Sequence, residues 1–124
     1  MRYMGIDYGR KRVGIALSNE NGDMGFPYQV FPNDERLLQE IESLVKEREV
    51  GEIVIGLSEG NPIQESIDEF VQDLTLHIGI PVHLEPEQYS TQESVRYQKK
   101  GEMTDASAAA VILNSFLTRK KHTS

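Results

Sequence analysis

The chain has 124 residues, no cysteine and a formal net charge of −7. This length is typical of one hydrophobic core, so a single domain spanning residues 1–124 is predicted. The lack of cysteine excludes disulfides, thiolate zinc sites and thiol nucleophiles. Charges fill the first twelve residues and no run approaches the ~18 apolar residues of a membrane span, so we expect a cytoplasmic protein without membrane contact.

The charge is unevenly distributed along the chain. Residues 34–93 carry 15 acidic and 3 basic side chains, whereas the two ends carry 5 acidic and 10 basic ones. If the fold brings the ends together, their basic clusters at 10–12, 96–100 and 119–121 form one positive patch beside Asp7, which can neutralise phosphates. Taken singly, each cluster is more simply explained as an ordinary solvated surface.

The first residues predict a β-hairpin that carries an acid. Residues 3–7 and 13–17 are β-rich runs, and Gly9 with the charged triplet 10–12 makes the turn between them. Asp7 lies in a strand, where a carboxylate is rare because its burial costs free energy unless a charge or hydrogen bond compensates it. Asp7 is therefore a candidate functional residue. The alternative is an aspartate that caps the turn with backbone bonds.

Strand and helix signals alternate after the hairpin. Pro27 in the third predicted strand indicates an irregular or edge position. Apolar residues at helical spacing mark the helices, and a run without alternation at 53–57 indicates a strand buried on both faces in the sheet centre. The predicted elements are a strand at 24–31, a helix from Asn33 or Asp34, a strand at 53–57, a helix from Asn61 and Pro62 to Gly79, a strand at 80–84, a polar loop at 85–91, a helix from about 90 to 100, and a last helix from about 104 with Ala106, Ala109 and Ala110 on its packing side.

This order predicts an α/β fold with a five-stranded mixed sheet flanked by helices, whose first three strands form an antiparallel meander. Sites in such sheets lie at the carboxyl ends of strands, where three acids are expected: Asp7, Glu87 and Asp105. Carboxylates without a His or Cys cluster suit Mg²⁺ or Mn²⁺, and a pair of such ions can hydrolyse a phosphodiester. Two simpler alternatives stay open: Glu87 as a solvated loop residue, and Asp105 as an acid that complements a helix N-terminus.

Three motifs resemble those of the YqgF family, also called RuvX-like Holliday junction resolvases or pre-16S rRNA nucleases. Residues 5–18, Gly-Ile-Asp-Tyr-Gly-Arg-Lys-Arg-Val-Gly-Ile-Ala-Leu-Ser, resemble its opening motif. Residues 54–57 resemble its strand and Gly-Leu-Pro loop, with serine replacing the proline, and residues 105–113 resemble its Asp-x-x-Ala-Ala-x-x-Ile-Leu signature. The resemblance implies a ribonuclease H-like fold in which Asp7 and Asp105 bind metal ions.

The middle motif of the family departs from the usual pattern. The family has Asp-Glu-Arg where this chain has Pro86, Glu87 and Gln88. Glu87 keeps the acid, but a glutamine cannot replace the charged, fork-shaped phosphate contact of an arginine.

The leading hypothesis is a metal-dependent endonuclease that acts on structured nucleic acid and processes the 5′ end of pre-16S ribosomal RNA. Asp7, Glu87 and Asp105 would be the catalytic metal ligands, with Mg²⁺ or Mn²⁺ as cofactor. The predicted nucleic-acid contacts are Arg10, Lys11, Arg12, Lys99 and Lys100.

Two other hypotheses stay open. One is a Holliday junction resolvase on branched DNA, which would act as a dimer because it cuts two strands symmetrically. The other, motivated by the altered middle motif, is a catalytically weakened protein that binds RNA or ribosomal precursors. The expected oligomeric state is a monomer or a homodimer.

Overall fold

Five strands and three helices make up the parts of the chain that a computed structural model describes, which are residues 1–57, 64–86 and 105–123. The elements are β1 Arg2–Tyr8, β2 Arg12–Ser18, β3 Gly25–Pro32, α1 Leu37–Arg48, β4 Val50–Leu57, α2 Gln64–His77, β5 Val82–Pro86 and α3 Asp105–Thr123. The predicted helix start at Asn61 and Pro62 and the predicted helix at 90–100 lie outside these ranges.

The strands form one mixed sheet in the order β3-β2-β1-β4-β5. The pairs β1–β2 and β2–β3 are antiparallel, whereas β1–β4 and β4–β5 are parallel. The predicted five-stranded mixed sheet and its meander are therefore confirmed. β4 is an interior strand as expected, although β1 takes the middle position.

β3 occupies one edge of the sheet, as Pro27 predicted. Its register against β2 shifts between Ile15 and Ala16, because Gln29 pairs with Ile15 and Pro27 with Ala16. Tyr28 is thus an extra residue, and the strand is irregular at that point.

Helices cover both faces of the sheet because successive strand residues point to opposite sides. On one face, Met4 and Ile6 belong to the core under α1 and α2. On the other, Tyr3 belongs to a second core under α3. Each fully buried aliphatic side chain contributes about 1.5–3 kcal/mol, so both layers stabilise the sheet.

α1 begins at Leu37, three residues after the predicted start at Asp34. The Asp34 carboxylate accepts a hydrogen bond from the Arg36 amide (2.9 Å), and the Asp34 carbonyl accepts one from the Leu37 amide (3.1 Å). Asp34 therefore forms a turn that precedes the helix. The helix ends at Arg48, and the next residue, Glu49, caps it with a left-handed φ of 54°.

The fifth strand lies two residues later than predicted. Gly79, with a φ of 77°, follows the end of α2 as expected. Ile78 and Ile80 pack against the α1 and α2 core from outside the strand, which explains why their apolar character suggested an earlier start. As a result, Glu85 belongs to β5 and not to a polar loop. Within the described ranges, no helix combines the length and apolar content that a membrane span needs.

Candidate active site

Asp7 lies near the carboxyl end of the central strand and is partly buried. It has the same parity along β1 as Tyr3 and Gly5, whose side of the strand faces α3. Across the sheet it pairs with Gly14 of β2. A rigid strand therefore fixes this acid on the α3 side of the sheet.

The N-terminus of α3 lies directly on Gly14. A Cβ atom placed on Gly14 would be 1.9 Å from the Asp105 backbone oxygen and 2.8 Å from the Ala106 nitrogen. Only glycine permits this approach. Because Gly14 is the pairing partner of Asp7, the fold brings Asp7 and Asp105 to neighbouring positions although 98 residues separate them in the sequence.

The same close packing continues along α3. A Cβ atom on Gly5 would lie 2.7 Å from the Leu113 Cβ and 2.8 Å from the Ala109 oxygen. Ala106, Ala109 and Ala110 are buried, as the sequence predicted for this side of the helix. The small residues on the sheet and on α3 set the distance between the helix and the sheet, and this distance sets the position of Asp105.

Arg12 binds Asp105 across the opening of the site. Its Nε donates to the Asp105 Oδ2 at 3.0 Å, and the two side chains are 69% and 38% exposed. Asp105 also begins α3, where a carboxylate is stabilised by the helix dipole. The alternative that Asp105 complements a helix N-terminus therefore describes its position and does not exclude metal binding.

The turn that carries Arg10, Lys11 and Arg12 is held by backbone contacts. The Gly9 amide donates to the Arg12 carbonyl (3.1 Å), and the Asn33 amide donates to the Lys11 carbonyl (2.9 Å). All three basic side chains are exposed. Because the turn joins β1 to β2 just after Asp7, these cations lie at the Asp7 end of the sheet.

Glu87, Lys99 and Lys100 lie outside the described residues, so their predicted roles stay predictions. In the part of the chain that the structure describes, no group of three or more His, Cys, Asp or Glu side chains could hold a metal ion. Asp7 and Asp105 lie at neighbouring positions and carry carboxylates, a donor type that fits Mg²⁺ or Mn²⁺, and the predicted third ligand is Glu87.

Sequence reasoning missed Glu85. It is fully buried, and it pairs with Gly56 of β4. Ile6 of β1 pairs with Ile55, so Asp7 and Glu85 stand level on one face, two strands and about 10 Å apart. The sequence signal was the two-residue spacing of His83 and Glu85. A strand that starts later and contains both residues places them on the same face of the sheet.

Two α3 side chains bind the buried Glu85 carboxylate. Ser115 Oγ donates to Oε2 (2.9 Å), and Arg119 Nη2 donates to Oε1 (2.5 Å). Burying a carboxylate without partners costs roughly several kcal/mol of folding free energy. The contacts from Ser115 and Arg119 therefore allow Glu85 to be buried. They join the edge strand to the C-terminal half of the helix.

The C-terminal basic cluster is not beside Asp7, contrary to the expectation of one positive patch. Lys120 donates a hydrogen bond to the Tyr3 hydroxyl at the start of β1. Lys121 donates to the Asp23 carbonyl (2.9 Å). The Tyr3 hydrogen bond raises the pKa of Lys120, helped by the charges of Tyr3 and Glu52 and opposed by partial desolvation of the ammonium. These cations lie at the opposite end of α3 from Asp105 because the helix runs from one end of β1 to the other.

Comparison with known proteins agrees with the motifs. The family model described as "RuvX: Holliday junction resolvase" matches residues 1–119. A protein of Maridesulfovibrio salexigens is 29% identical over 96% of this chain and 99% of its own, and one of Oleidesulfovibrio alaskensis is 32% identical over 94% and 92%. Both are named "Putative pre-16S rRNA nuclease".

A solved structure shows the same fold. The T. thermophilus RuvC chain, in complex with a Holliday junction substrate, matches with a TM-score of 0.66 at 14% identity, over 99% of this chain and 98% of its own. The predicted ribonuclease H-like fold is confirmed by this match. With a family model that covers almost the whole sequence and a relative above 30% identity, the chain belongs to the RuvX (YqgF) family of nucleases.

Proposed function

We propose that this protein is a metal-dependent endonuclease that processes the 5′ end of pre-16S ribosomal RNA. The names of its relatives support this substrate. The structural observation that supports it most is the packing of the Asp105 backbone on Gly14, the strand partner of Asp7. This packing juxtaposes two acids that the chain order keeps far apart.

The acids would hold the cofactor. Asp7, Glu87 and Asp105 are the proposed ligands, and Asp7 would contribute its carboxylate from the central strand. When bound, Mg²⁺ or Mn²⁺ ions supply an activated water and charge stabilisation for the leaving oxygen of the phosphodiester. The strand and the helix preorganise their acids, which limits reorganisation during the reaction.

The basic turn would hold the substrate. Arg10, Lys11 and Arg12 are exposed beside the acids, and cations there neutralise backbone phosphates without reading sequence. Arg12 would exchange Asp105 for a phosphate, because an exposed ion pair holds it only weakly. Lys99 and Lys100 would extend the phosphate track.

The test compares wild type with Asp7→Asn on precursor 16S rRNA in the presence of Mg²⁺ or Mn²⁺. We expect cleavage to fall by at least about a hundredfold, because an amide is a poorer metal ligand than a carboxylate. Asp68→Asn, an exposed charge change on α2 on the other side of the sheet, is the matched control and should cleave like wild type. Equal cleavage by Asp7→Asn and wild type would refute the mechanism.

A second candidate is resolution of branched DNA, which the description of the matching family model favours. The same variants assayed on a four-way DNA junction distinguish the two substrates. Symmetric cleavage of the junction would require a homodimer, so sedimentation in solution accompanies the assay. Preference for the junction over precursor rRNA would replace RNA processing with resolution.

A third candidate is a protein that binds RNA without cleaving it. The replacement of an acid and a base of the family's middle motif by Pro86 and Gln88 motivates this hypothesis. Salt-sensitive RNA binding, with no metal-stimulated cleavage by wild type, would identify that case. We further propose that residues 1–124 act as one domain and that the protein works in the cytoplasm with ribosomal precursors.

A further inference from the structure

A cavity lies on the α3 side of the sheet, toward the end of α3 farther from Asp105. Its volume is about 370 Å³, and the described residues that line it are His83 of β5 and Phe116, Arg119 and Lys120 of α3. This volume is in the range of sites that bind small organic ligands. The lining combines two aromatic rings with two cations.

The aromatic side of the cavity is fixed in place. The Phe116 ring is partly buried and packs against the second core. Its centroid lies 5.0 Å from the His83 ring, tilted by 33°, and 6.0 Å from the Tyr3 ring, tilted by 52°. His83 is itself held by a hydrogen bond between its Nε2 and the Glu52 carboxylate. A fixed ring of this kind stacks on any nucleobase without reading its identity.

The cations that line the cavity are open to solvent, whereas the carboxylates near them are buried or nearly so. The Lys120 ammonium lies 4.8 Å from the centre of the Tyr3 ring and is held there by the Tyr3 hydroxyl. In the Arg119–Glu85 pair, the carboxylate side chain is 0% exposed and the arginine 52% exposed. The Glu52 side chain is only 14% exposed. An anionic ligand would therefore meet the cations before the carboxylates.

We propose that this cavity binds one unpaired nucleotide of the substrate, with its base stacked on Phe116 and its phosphate held by Lys120 and Arg119. The proposal rests on the nuclease function above. A base in a duplex has no free face to stack, so the nucleotide must be single-stranded.

The strand register sets the distance to the proposed cutting site. His83 pairs with Val54, which pairs with Gly5, so His83 lies two strands from β1 and two residues before the level of Asp7. With strands ~4.8 Å apart and a rise of ~3.3 Å per residue, this is about 12 Å. At ~3.4 Å per stacked nucleotide, the unpaired nucleotide would lie about three to four positions from the bond that is cut.

The experiment measures binding of a labelled, unstructured single-stranded RNA of about 12 nucleotides by fluorescence anisotropy in EDTA. Without divalent ions, binding is independent of the metal centre. We expect Phe116→Leu and Lys120→Gln each to weaken binding about fivefold or more, because one removes stacking and the other a phosphate contact. Lys121→Gln removes the same charge one residue further along and should weaken it less than about twofold.

The outcomes separate this site from the proposed activity. Equal losses for Lys120→Gln and Lys121→Gln, or unchanged binding by a folded Phe116→Leu, would overturn the cavity site even if Asp7→Asn abolishes cleavage. Conversely, the expected losses in a protein that never cleaves would keep the site and reject the activity. Equal effects on a duplex of the same sequence would also overturn the single-strand requirement.

A second measurement needs no variant and so does not depend on the folding of Phe116→Leu. The same RNA carrying 5-iodouridine is photo-cross-linked to wild type, and the modified peptide is identified by mass spectrometry. Cross-links at Phe116 or His83 support the site. Cross-links only at other residues would refute it.

Discussion

The two ends of α3 are joined to the sheet by ion pairs of different kinds. At its N-terminus, Asp105 pairs with Arg12, and both side chains are open to solvent, at 38% and 69% exposure. In its C-terminal half, Arg119 pairs with Glu85, whose carboxylate is completely buried. One helix thus carries an exposed pair at its first residue and, in its C-terminal half, a pair whose carboxylate is buried.

The two ion pairs therefore have different roles: the Glu85 pair attaches the helix to the sheet, and the Asp105 pair includes a proposed catalytic residue. Exposed pairs contribute about 0–1 kcal/mol, so Asp105 and Arg12 can exchange partners at little cost to stability. A buried carboxylate that loses its partner is strongly destabilising, so the Glu85 contact fixes the helix on β5. The helix can therefore stay in place while its first carboxylate changes partners.

The largest expected effect comes from breaking the buried pair with Arg119→Met, which keeps most of the side-chain volume. Glu85 would stay buried without its cation, so the free energy of unfolding at pH 7 should fall by about 3–5 kcal/mol. Urea unfolding at pH 7 measures this. Lys121→Met, an exposed neighbour, is the control, and a similar small loss for both variants would contradict the role of the pair.

A smaller but still large effect is expected from Gly14→Ala. The new Cβ would lie 1.9 Å from the Asp105 backbone oxygen, so the start of α3 must move away from the sheet. Overpacking of this kind costs about 1–3 kcal/mol. Because Asp105 moves relative to Asp7, Mn²⁺ affinity measured by calorimetry should fall together with stability.

Gly51→Ala is the matched control for Gly14→Ala. Its new Cβ would meet the Met1 side chain at 2.6 Å, and that flexible side chain can move aside. Its stability should change by less than about 1 kcal/mol and its Mn²⁺ affinity not at all. If Gly14→Ala behaves like Gly51→Ala, the contact between Gly14 and Asp105 does not set the position of the acid.

The sequence was sufficient to predict the sheet, the meander and the packing of α3. Period-two and helical patterns carry that information directly, because they report which face of each element is buried. The juxtaposition of Asp7 and Asp105 was also expected, since sites gather at strand ends and both acids lie in recognisable motifs. The close approach of the Asp105 backbone to Gly14 was not predictable, because it depends on how closely α3 packs on the sheet.

Glu85 and the C-terminal cations could not be placed from local pattern. A glutamate beside a proline predicts a solvated loop, and only the tertiary contact with Arg119 reverses that expectation. Likewise, Lys120 belongs to a basic cluster by sequence, but the length of α3 carries it away from Asp7 to Tyr3. Charge clusters in a sequence therefore do not show which cations share a surface.

Breaking the exposed ion pair between Arg12 and Asp105 should have a small effect on stability. Arg12→Met should change the free energy of unfolding by less than about 1 kcal/mol. Mn²⁺ affinity should not fall, since the variant removes a cation that competes for Asp105, whereas RNA binding should weaken. Calorimetry and anisotropy measure the two. Arg10→Met in the same turn controls for the lost charge, and a fall in Mn²⁺ affinity specific to Arg12→Met would contradict the exchange of partners.

The smallest expected effect is at the far end of α3, where Tyr3→Phe removes the hydroxyl that binds Lys120. That hydrogen bond is the main cause of the raised pKa of Lys120, so the pKa should return toward its ordinary value of 10.5. A raised pKa in the folded state stabilises the protein below the unfolded value and loses that effect as the pH rises through the folded one.

The stability difference between wild type and Tyr3→Phe should therefore be constant near neutral pH and shrink above pH 10.5. Because Lys120 is exposed, the hydrogen bond should contribute only about 0.2–1 kcal/mol. Side-chain NMR titration of Lys120 measures the pKa directly. Tyr28→Phe removes a hydroxyl that accepts from Arg48 (3.2 Å) and should leave the Lys120 titration unchanged. An unchanged titration in Tyr3→Phe would mean that Lys120 is not held at the start of β1, and the comparison between the two ends of α3 would then rest on the Glu85 pair alone.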